Sequence, residues 1–302
     1  MKPFAAVLLA VAMAAGCGGK EPGSTQLTKG TLRLGCDEAV LPLVRREVGE
    51  FSRLYVEASI RIDSGEARAL VSDFASDSLR VFVCARALNK EERDALAAAK
   101  VEFREYEFAR TAVAVIEHPG VPATRFRAGE LDTIFSGNTT RWSGKKQTMI
   151  ELAIGGLNYS VNEVFRKAIL GKSGYDRAAK SIASSADLLE YVGRTPGAIG
   201  IVGLDWLKGH EEAVTVASVA SAAMRPDSTF APQEYYSPAP AYVYLGYYPL
   251  YAPVYIYTRE INRDLADGFI AFLTSVAGQK VVQSSGLVPV TMPVRLVHLT
   301  SE

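Results

Sequence analysis

Three short polar loops in this sequence lie where a predicted helix begins. In an open α/β sheet, ligands bind beyond the carboxyl ends of the strands, where helix N-termini present free N–H groups and a partial positive charge. Such N–H groups, with hydroxyl and amide side chains beside them, favour a bound anion. We therefore predict ligand contacts in these loops. They are Asp37-Glu38, Ser64-Gly65 and Asn158-Tyr159-Ser160.

Carboxylates in the first two loops leave alternatives open. Asp37 is a residue type that caps helices, so Asp37 and Glu38 are interpreted either as ligand contacts or as a helix cap with a solvated neighbour. Glu66 directly follows Gly65 and would repel a dianion unless it points away or is neutralised.

Arg86 follows the predicted strand 79–84. A guanidinium at the mouth of a cleft can hold an oxyanion through two parallel hydrogen bonds. The alternative is an arginine that joins neighbouring chain segments by hydrogen bonds. The sequence leaves both interpretations of Arg86 open.

The composition excludes several function classes. The 302 residues include 33 basic and 33 acidic side chains, so no broad basic face predicts a nucleic-acid partner. The motifs G-x-S-x-G, H-E-x-x-H and the Walker loop do not occur, and none of the three histidines has a metal ligand at suitable spacing. We expect no enzyme activity, no cofactor and no metal. The histidines are His118, His210 and His298.

The N-terminus is typical of an exported protein. Lys2 precedes the apolar run 4–15, which is too short to cross a bilayer as a helix. The run ends in AAGC, which resembles a bacterial lipobox, and predicts a signal peptide over 1–17 with lipidation of Cys17. The alternative is a plain secretory signal with a chance cysteine. Residues 18–29 are rich in Gly, Ser and Thr and predict a flexible tether to the membrane.

The elements that position the loops alternate between strand and helix from residue 31 to residue 84. This order predicts a mostly parallel sheet covered on both faces. Asn89 with Glu92 three residues later predicts a capping box, and Gly286 predicts a helix end. Strands are expected over 31–36, 57–62, 79–84, 101–107, 110–117, 197–202 and 253–258, and helices over 39–54, 67–76, 89–99, 128–135, 161–170, 186–192, 262–276 and 278–285.

Four segments of the chain carry recognisable motifs in a fixed order: 129–142 (GELDTIFSGNTTRW), 196–206 (PGAIGIVGLDW), 248–257 (YPLYAPVYIY) and 268–290 (GFIAFLTSVAGQKVVQSSGLVPV). Their order and spacing resemble those of the phosphate-binding proteins of bacterial phosphate ABC transporters. The N-terminal half resembles a divergent branch of that family, with GCDEAVLPL where better-known members carry a Gly-Ser-Ser-Thr loop, and with SDSLRVFVCARALNKEE over strand three. The resemblance covers residues 30 to 298.

The resemblance implies an α/β type II periplasmic-binding-protein fold: two lobes, each with a mixed, mostly parallel sheet, and a two-segment hinge. Lobe 1 is expected over 30–109 and 256–302, and lobe 2 over 110–255. The function it implies is an exported, monomeric, membrane-anchored solute-binding protein. Such a protein binds phosphate or a similar oxyanion in the cleft between the lobes and delivers it to an ABC transporter permease.

Departures from the family support a second hypothesis, a sensory or interaction lipoprotein with an altered or lost ligand site. Tyr159, Val161 and Glu66 favour it, since Tyr159 and Val161 replace small hydroxyl residues and Glu66 is a departure in the second loop. Glu163 also lies near where the family often has arginine. The resemblance also places Cys36 and Cys84 at the ends of neighbouring strands, where a disulfide and two buried thiols are both possible.

Seven tyrosines between 235 and 251 are expected to pack in the core and hinge, with an exposed recognition patch as the alternative.

Overall fold

The computed structural model describes residues 26–121, 124–143, 148–221, 234–259 and 264–292. The predicted signal peptide, Cys17 and the tether up to residue 25 lie outside the described residues. The end of the predicted tether packs on the folded body, because a Cβ at Gly268 would lie 1.7 Å from the carbonyl oxygen of Leu27.

The first half of the chain alternates strand and helix, as the sequence predicts. The capping box at Asn89 is confirmed, since Glu92 N–H donates to the Asn89 side chain at 2.9 Å and Asn89 N–H donates to Glu92 at 2.9 Å. The elements are β1 (Gly30–Asp37), a 3₁₀ turn (Glu38–Val40), α1 (Leu41–Leu54), β2 (Ala58–Gly65), α2 (Ala67–Ala75), β3 (Val81–Cys84) and α3 (Lys90–Ala98).

The predicted pair of strands over 101–107 and 110–117 is wrong, because one strand, β4 (Arg104–Glu117), covers most of both. The chain between the two predicted strands is Phe108-Ala109, which contains no turn residue. β4 pairs antiparallel with β12 (Tyr251–Thr258) over 104–112 and then with β8 (Ala198–Gly203) over 113–117. Two successive partners therefore keep the strand extended along its whole length.

The second half of the chain adds shorter elements, several of which the sequence did not indicate. They are β5 (Arg125–Phe126), α4 (Ala128–Phe135), β6 (Glu151–Ile154), α5 (Ser160–Phe165) with a π-helical turn (Arg166–Leu170), β7 (Lys180–Ser181), α6 (Ser185–Arg194), β8, a 3₁₀ turn (Leu204–Leu207), β9 (Thr215–Val216), β10 (Ser218–Ala220), β11 (Tyr235–Tyr236), α7 (Pro240–Tyr244), β12, α8 (Leu265–Thr274), α9 (Val276–Ser284) and β13 (Val288–Pro289).

One sheet runs through both lobes in the order β2-β1-β3-β12-β4-β8-β6-β7. At its two ends, β2-β1-β3 and β8-β6-β7 pair in parallel, as expected for each lobe. The antiparallel strands β4 and β12 join them and form the two-segment hinge. We call lobe 1 the part built on β1–β3 and lobe 2 the part built on β6–β8; the exact residue boundaries of the lobes stay a prediction.

The core lies on both faces of this sheet. Helices α8 and α9 return to lobe 1, where Phe269 and Phe272 pack edge-on against Phe51 of α1.

No single described helix is long and apolar enough to cross a membrane; α8 and α9 reach that length and apolarity only together, and they meet at 63°. Of the seven tyrosines between 235 and 251, three are buried (Tyr236, Tyr247 and Tyr248), two are half-buried, and Tyr244 and Tyr251 are more than 40% exposed.

Candidate functional site

The predicted ligand loops meet where the carboxyl ends of β1, β2 and β3 of lobe 1 face the first turns of α5 and α6 of lobe 2. Side chains of the two lobes are in direct contact there. The Arg86 side chain lies 2.9 Å from Glu163, and the Asn158 amide donates to Glu66 at 3.0 Å. The structure therefore brings the predicted site residues of both lobes together in a closed cleft.

Asp37 is fully buried and bonded within the protein. Its carboxylate accepts hydrogen bonds from the backbone N–H of Ala39 at 3.3 Å and of Ala85 at 3.2 Å. Burial raises the pKa of Asp37, and hydrogen bonds from Ser160, Ala85 and Ala39 partly offset that rise. The capping interpretation of Asp37 agrees with this geometry, since the residue begins the 3₁₀ turn that leads into α1.

Glu38 reaches across to lobe 2. Its carboxylate accepts a hydrogen bond of 2.8 Å from the backbone N–H of Ser185 and one of 2.7 Å from the Ser185 hydroxyl. Ser185 is the first residue of α6, so the carboxylate lies where an anion is favoured by the helix dipole. Glu38 is only 6% exposed, so the alternative in which it is a solvated neighbour of the cap is wrong. Burial raises the pKa of Glu38.

Asp205 makes the opposite connection, from lobe 2 to lobe 1. It accepts a 3.0 Å hydrogen bond from the backbone N–H of Leu43 in the first turn of α1. The N-cap residue of α1, Val40, has no side chain that can do so. Beside it, Trp206 donates to the carbonyl of Glu38 at 3.0 Å. Glu38 and Asp205 thus each cap a helix of the other lobe.

Arg86 is 7% exposed and lies between two carboxylates. Its Nη1 and Nη2 atoms donate to Glu92 of the same lobe at 2.7 and 2.6 Å. Toward lobe 2, Nη2 donates to Glu163 at 3.3 Å, and Nε lies 2.9 Å from the same carboxylate without an aligned hydrogen bond. Burial raises the pKa of Glu163, and Arg86 opposes that rise. Both sequence interpretations of Arg86 remain compatible with this arrangement.

The second loop is the most open part of the cleft. Ser64 is exposed, Gly65 is half-buried, and a Cβ at Gly65 would meet no atom within 4 Å. Glu66 accepts a hydrogen bond of 3.0 Å from the Asn158 amide of lobe 2, so its carboxylate points toward the cleft, and the amide that holds it there carries no charge. These residues lie at the rim of the cleft.

In the third loop, Tyr159 and Ser160 point to different places. The Tyr159 hydroxyl donates to the carbonyl of Ala183 at 3.0 Å, which ties the loop to the segment before α6. Ser160 is fully buried, and its hydroxyl lies 3.4 Å from the thiol of Cys84. The loop therefore exposes Asn158 to the cleft more than it exposes Ser160.

Cys36 and Cys84 are both buried free thiols. Cys36 pairs with Val83 across β1 and β3, so Cys84 lies one residue further on and its side chain points to the opposite face of the sheet. The two cysteines accordingly belong to different apolar clusters. The register of the two strands decides the question that the sequence left open.

Three residues of the cleft were missed by the sequence analysis. Glu92 was assigned to a capping box, and it does this while also pairing with Arg86. Ser185 lies one residue before the predicted helix 186–192, and Asp205 lies after the predicted strand 197–202, in the segment 196–206 that carries only the family resemblance. The Ser184–Asp187 spacing, an N-cap signature, could have located the start of α6, whereas no local signal indicates Asp205 as a cap for α1.

A cavity of about 590 Å³ opens beside Arg86. Residues of both lobes line it together with the hinge segment that leads into β12. The lining side chains include Arg86, Asn89, Glu163, Lys167, Tyr251 and Pro253. Within the described ranges, no group of three or more His, Cys, Asp or Glu side chains is arranged to hold a metal ion.

The chain is similar to proteins named for phosphate binding. It is 25% identical to the phosphate-binding protein PstS of Bacillus subtilis over 268 residues, which span 87% of this chain and 81% of that protein. A putative phosphate ABC transporter substrate-binding protein from Clostridium perfringens, solved with bound phosphate, superposes with a TM-score of 0.73 at 18% identity, over 86% of this chain and all of that one. The phosphate-binding protein PfluDING gives 0.67 at 15% identity, over 86% of this chain and 90% of that one.

At these identities the solved structures establish the fold, two α/β lobes of the type II periplasmic-binding-protein class. The family model described as the PBP superfamily domain matches residues 22–277, most of the chain. The strand order, the hinge of β4 and β12 and the cleft between the lobes agree with that match. The chain belongs to the PBP superfamily domain family.

Proposed function

We propose that this protein is the extracytoplasmic solute-binding component of an ABC transporter, which binds phosphate or a similar oxyanion between its lobes and delivers it to a permease. The observation that carries the proposal is the convergence, in one inter-lobe cleft, of helix N-termini and the buried Arg86. Helix N-termini and a guanidinium are the groups that bind oxyanions in water-poor sites. The relatives named for phosphate binding support the same ligand class.

The proposal includes a lipid anchor at Cys17, a tether to about residue 29 and a monomeric state. The predicted lipobox and the export signal support the anchor. Replacement of Cys17 by Ser should move the protein from the membrane fraction to the soluble fraction of cells, as seen by immunoblotting. Retention of Cys17→Ser in the membrane fraction would contradict lipidation as the means of attachment.

Within the cleft, we propose that Arg86, Asn158, Tyr159, Ser64 and Gly65 contact the ligand, together with the helix N-termini that Asp37, Glu38 and Ser160 mark. Asp37, Glu38 and Ser160 are buried in the closed cleft. We expect these residues to become accessible to a ligand once the lobes separate, because separation breaks the contact of Glu38 with Ser185 and that of Ser160 with Cys84.

The second candidate is a sensory or interaction lipoprotein with an altered ligand site. The observation that favours it is the acidity of the cleft, where Glu66 and Glu163 are already paired with Asn158 and Arg86. In this case a closed protein surface, rather than a bound solute, would be recognised by the partner.

Titration calorimetry distinguishes the two candidates. The exported protein is purified in mild detergent and dialysed to remove phosphate, sulfate and molybdate. It is then titrated with each of these three anions. The transport proposal expects saturable binding of one of these anions, and loss of that binding in Arg86→Ala. Absence of binding for all three anions would refute it and favour the interaction role.

A further inference from the structure

Arg86 donates hydrogen bonds to two partners of its own lobe, the carbonyl of Ala87 at 3.1 Å and the carboxylate of Glu92. Both terminal nitrogens donate to Glu92 at 2.6 and 2.7 Å, and Glu92 is held in turn by its capping box with Asn89. Two parallel, charge-assisted hydrogen bonds of this length are strong. The Arg86–Glu92 pair therefore stays intact whether the lobes are open or closed.

The remaining edge of the guanidinium faces the two carboxylate oxygens of Glu163 in lobe 2. Nη2 donates to Glu163 at 3.3 Å, which is longer than a usual charge-assisted bond, and Nε lies 2.9 Å from the other oxygen of Glu163 without an aligned hydrogen bond. A buried donor whose hydrogen bond is poorly aligned gains less free energy than an aligned donor does. An oxyanion that aligns with both Nε and Nη2 would therefore satisfy this edge better than Glu163 does.

Space for such an acceptor exists beside the pair. The cavity of about 590 Å³ is lined by Arg86 and Glu163, and also by Lys167, which lies four residues after Glu163 and adds a second positive charge. The cavity gives the Glu163 side chain room to turn away and gives a small oxyanion room to enter.

We propose that Glu163 acts as an internal ligand of Arg86: its carboxylate occupies the guanidinium edge that a solute oxyanion takes, and the oxyanion binds by displacing it. The inference rests on the proposed function. Glu163 then determines affinity, because each binding event must break the Arg86–Glu163 contact before the new one forms. Since Glu92 remains on Arg86, the displacement does not leave the guanidinium without a counter-charge.

A structural role for Glu163 predicts the opposite result. If the residue only stabilised the closed cleft, its neutralisation would weaken the binding of any ligand held between the lobes. Competition instead predicts that neutralisation strengthens binding. The sign of the change in affinity therefore separates the two roles.

The test measures inorganic phosphate and sulfate binding by calorimetry in the full chain carrying Glu163→Gln or Glu163→Asp. Glu163→Gln should bind the anion about fivefold or more tightly than the wild type, the size typical of a coupling between sites. Glu163→Asp keeps the charge but shortens the reach, so its affinity should lie between the two. A wild-type or weaker affinity in Glu163→Gln overturns the inference.

The matched control is Glu105→Gln, which removes the same charge from an ion pair with Arg93 at 2.7 Å outside the cleft. Its affinity should equal that of the wild type. If Glu163→Gln binds more tightly while Glu163→Asp behaves as the wild type, the gain comes from the total cleft charge and not from the contact, and the inference is overturned.

A measurement without ligand keeps the inference separate from the proposed function. Phenylglyoxal modifies accessible arginines, and peptide mass spectrometry gives its rate at Arg86. The rate should rise in Glu163→Gln and stay unchanged in Glu105→Gln. If no anion binds to any variant, the proposed function fails, and this rate alone decides whether Glu163 shields Arg86; an unchanged rate refutes it.

Discussion

The carboxylate of Asp205 caps helix α1 from the other lobe, with a 3.0 Å hydrogen bond from the N–H of Leu43 across 162 residues of sequence. Glu38, which lies five residues before Leu43, caps α6 in the reverse direction through Ser185. This pair of exchanged caps opposes separation of the lobes, because opening breaks the hydrogen bonds that Leu43 and Ser185 donate across the cleft. Hydrogen bonds between protein groups thus stabilise the closed arrangement of the two lobes.

The Asp205 cap should contribute measurably to stability. Asp205→Ala leaves the Leu43 N–H without its acceptor, and we expect the free energy of unfolding at pH 5 to fall by about 1–2 kcal/mol. Urea unfolding followed by circular dichroism measures this. The control is Asp205→Asn, which keeps an acceptor oxygen and should lose less than Asp205→Ala; equal losses would contradict capping.

Stability should decrease as the pH rises above about 4.5. Glu117 is fully buried without a hydrogen-bond partner for either oxygen, and burial raises its pKa to about 8. Between the ordinary glutamate pKa of 4.5 and the folded-state pKa of about 8, the folded protein keeps the proton on Glu117 and the unfolded chain has lost it. The free energy of unfolding therefore falls by about 1.4 kcal/mol for each unit of pH in that range.

Replacement of Glu117 by Gln should remove that part of the pH dependence. The variant should gain stability relative to the wild type at pH 8 and differ less from it at pH 5, as measured by urea unfolding at both values. Part of the dependence should remain, because burial raises the pKa of Glu47 to about 9 and that of Asp205 to about 7. A parallel pH profile in Glu117→Gln and wild type would refute the assignment.

The lobes should fail to close fully when Gly203 gains a side chain. A Cβ at Gly203 would lie 2.1 Å from the carbonyl oxygen of Ala39 in lobe 1, and backbone atoms there cannot turn aside. Gly203→Ala should therefore increase the radius of gyration of the ligand-free protein in small-angle scattering and lower its melting temperature.

The matched control is Gly49→Ala, in the middle of α1, where a Cβ meets no atom within 4 Å. Alanine is favoured over glycine inside a helix by about 1 kcal/mol, so this variant should be as stable as the wild type or more stable. Equal radii of gyration for Gly203→Ala and wild type would contradict the close approach of the two lobes.

The two cysteines of the folded body should behave as protected thiols. Both are fully buried, and burial raises the pKa of each thiol well above its usual range. An alkylating reagent should leave Cys36 and Cys84 unmodified in the folded protein and modify both in urea without prior reduction. Protection of both cysteines in urea until a reductant is added would instead indicate a disulfide.

Local sequence determined most of the secondary structure and the position of the loops in which we predict ligand contacts. The alternation of strand and helix to residue 84, the Asn89–Glu92 capping box and the helix end at Gly286 all depend on interactions within a few residues. Such interactions are readable because their geometry repeats in every protein. For the same reason, local sequence patterns are sufficient to locate the loops at the ends of the strands.

Only the tertiary structure decided what the side chains of those loops contact. Glu38 and Asp205 find partners 147 and 162 residues away, and Arg86 meets Glu163 77 residues away. The register of β1 on β3 separates the cysteines, and the pairing of β4 with both β12 and β8 turns two expected strands into one. Contacts between distant segments depend on how the sheet is assembled and how closely the lobes approach, and no local pattern of residues encodes either.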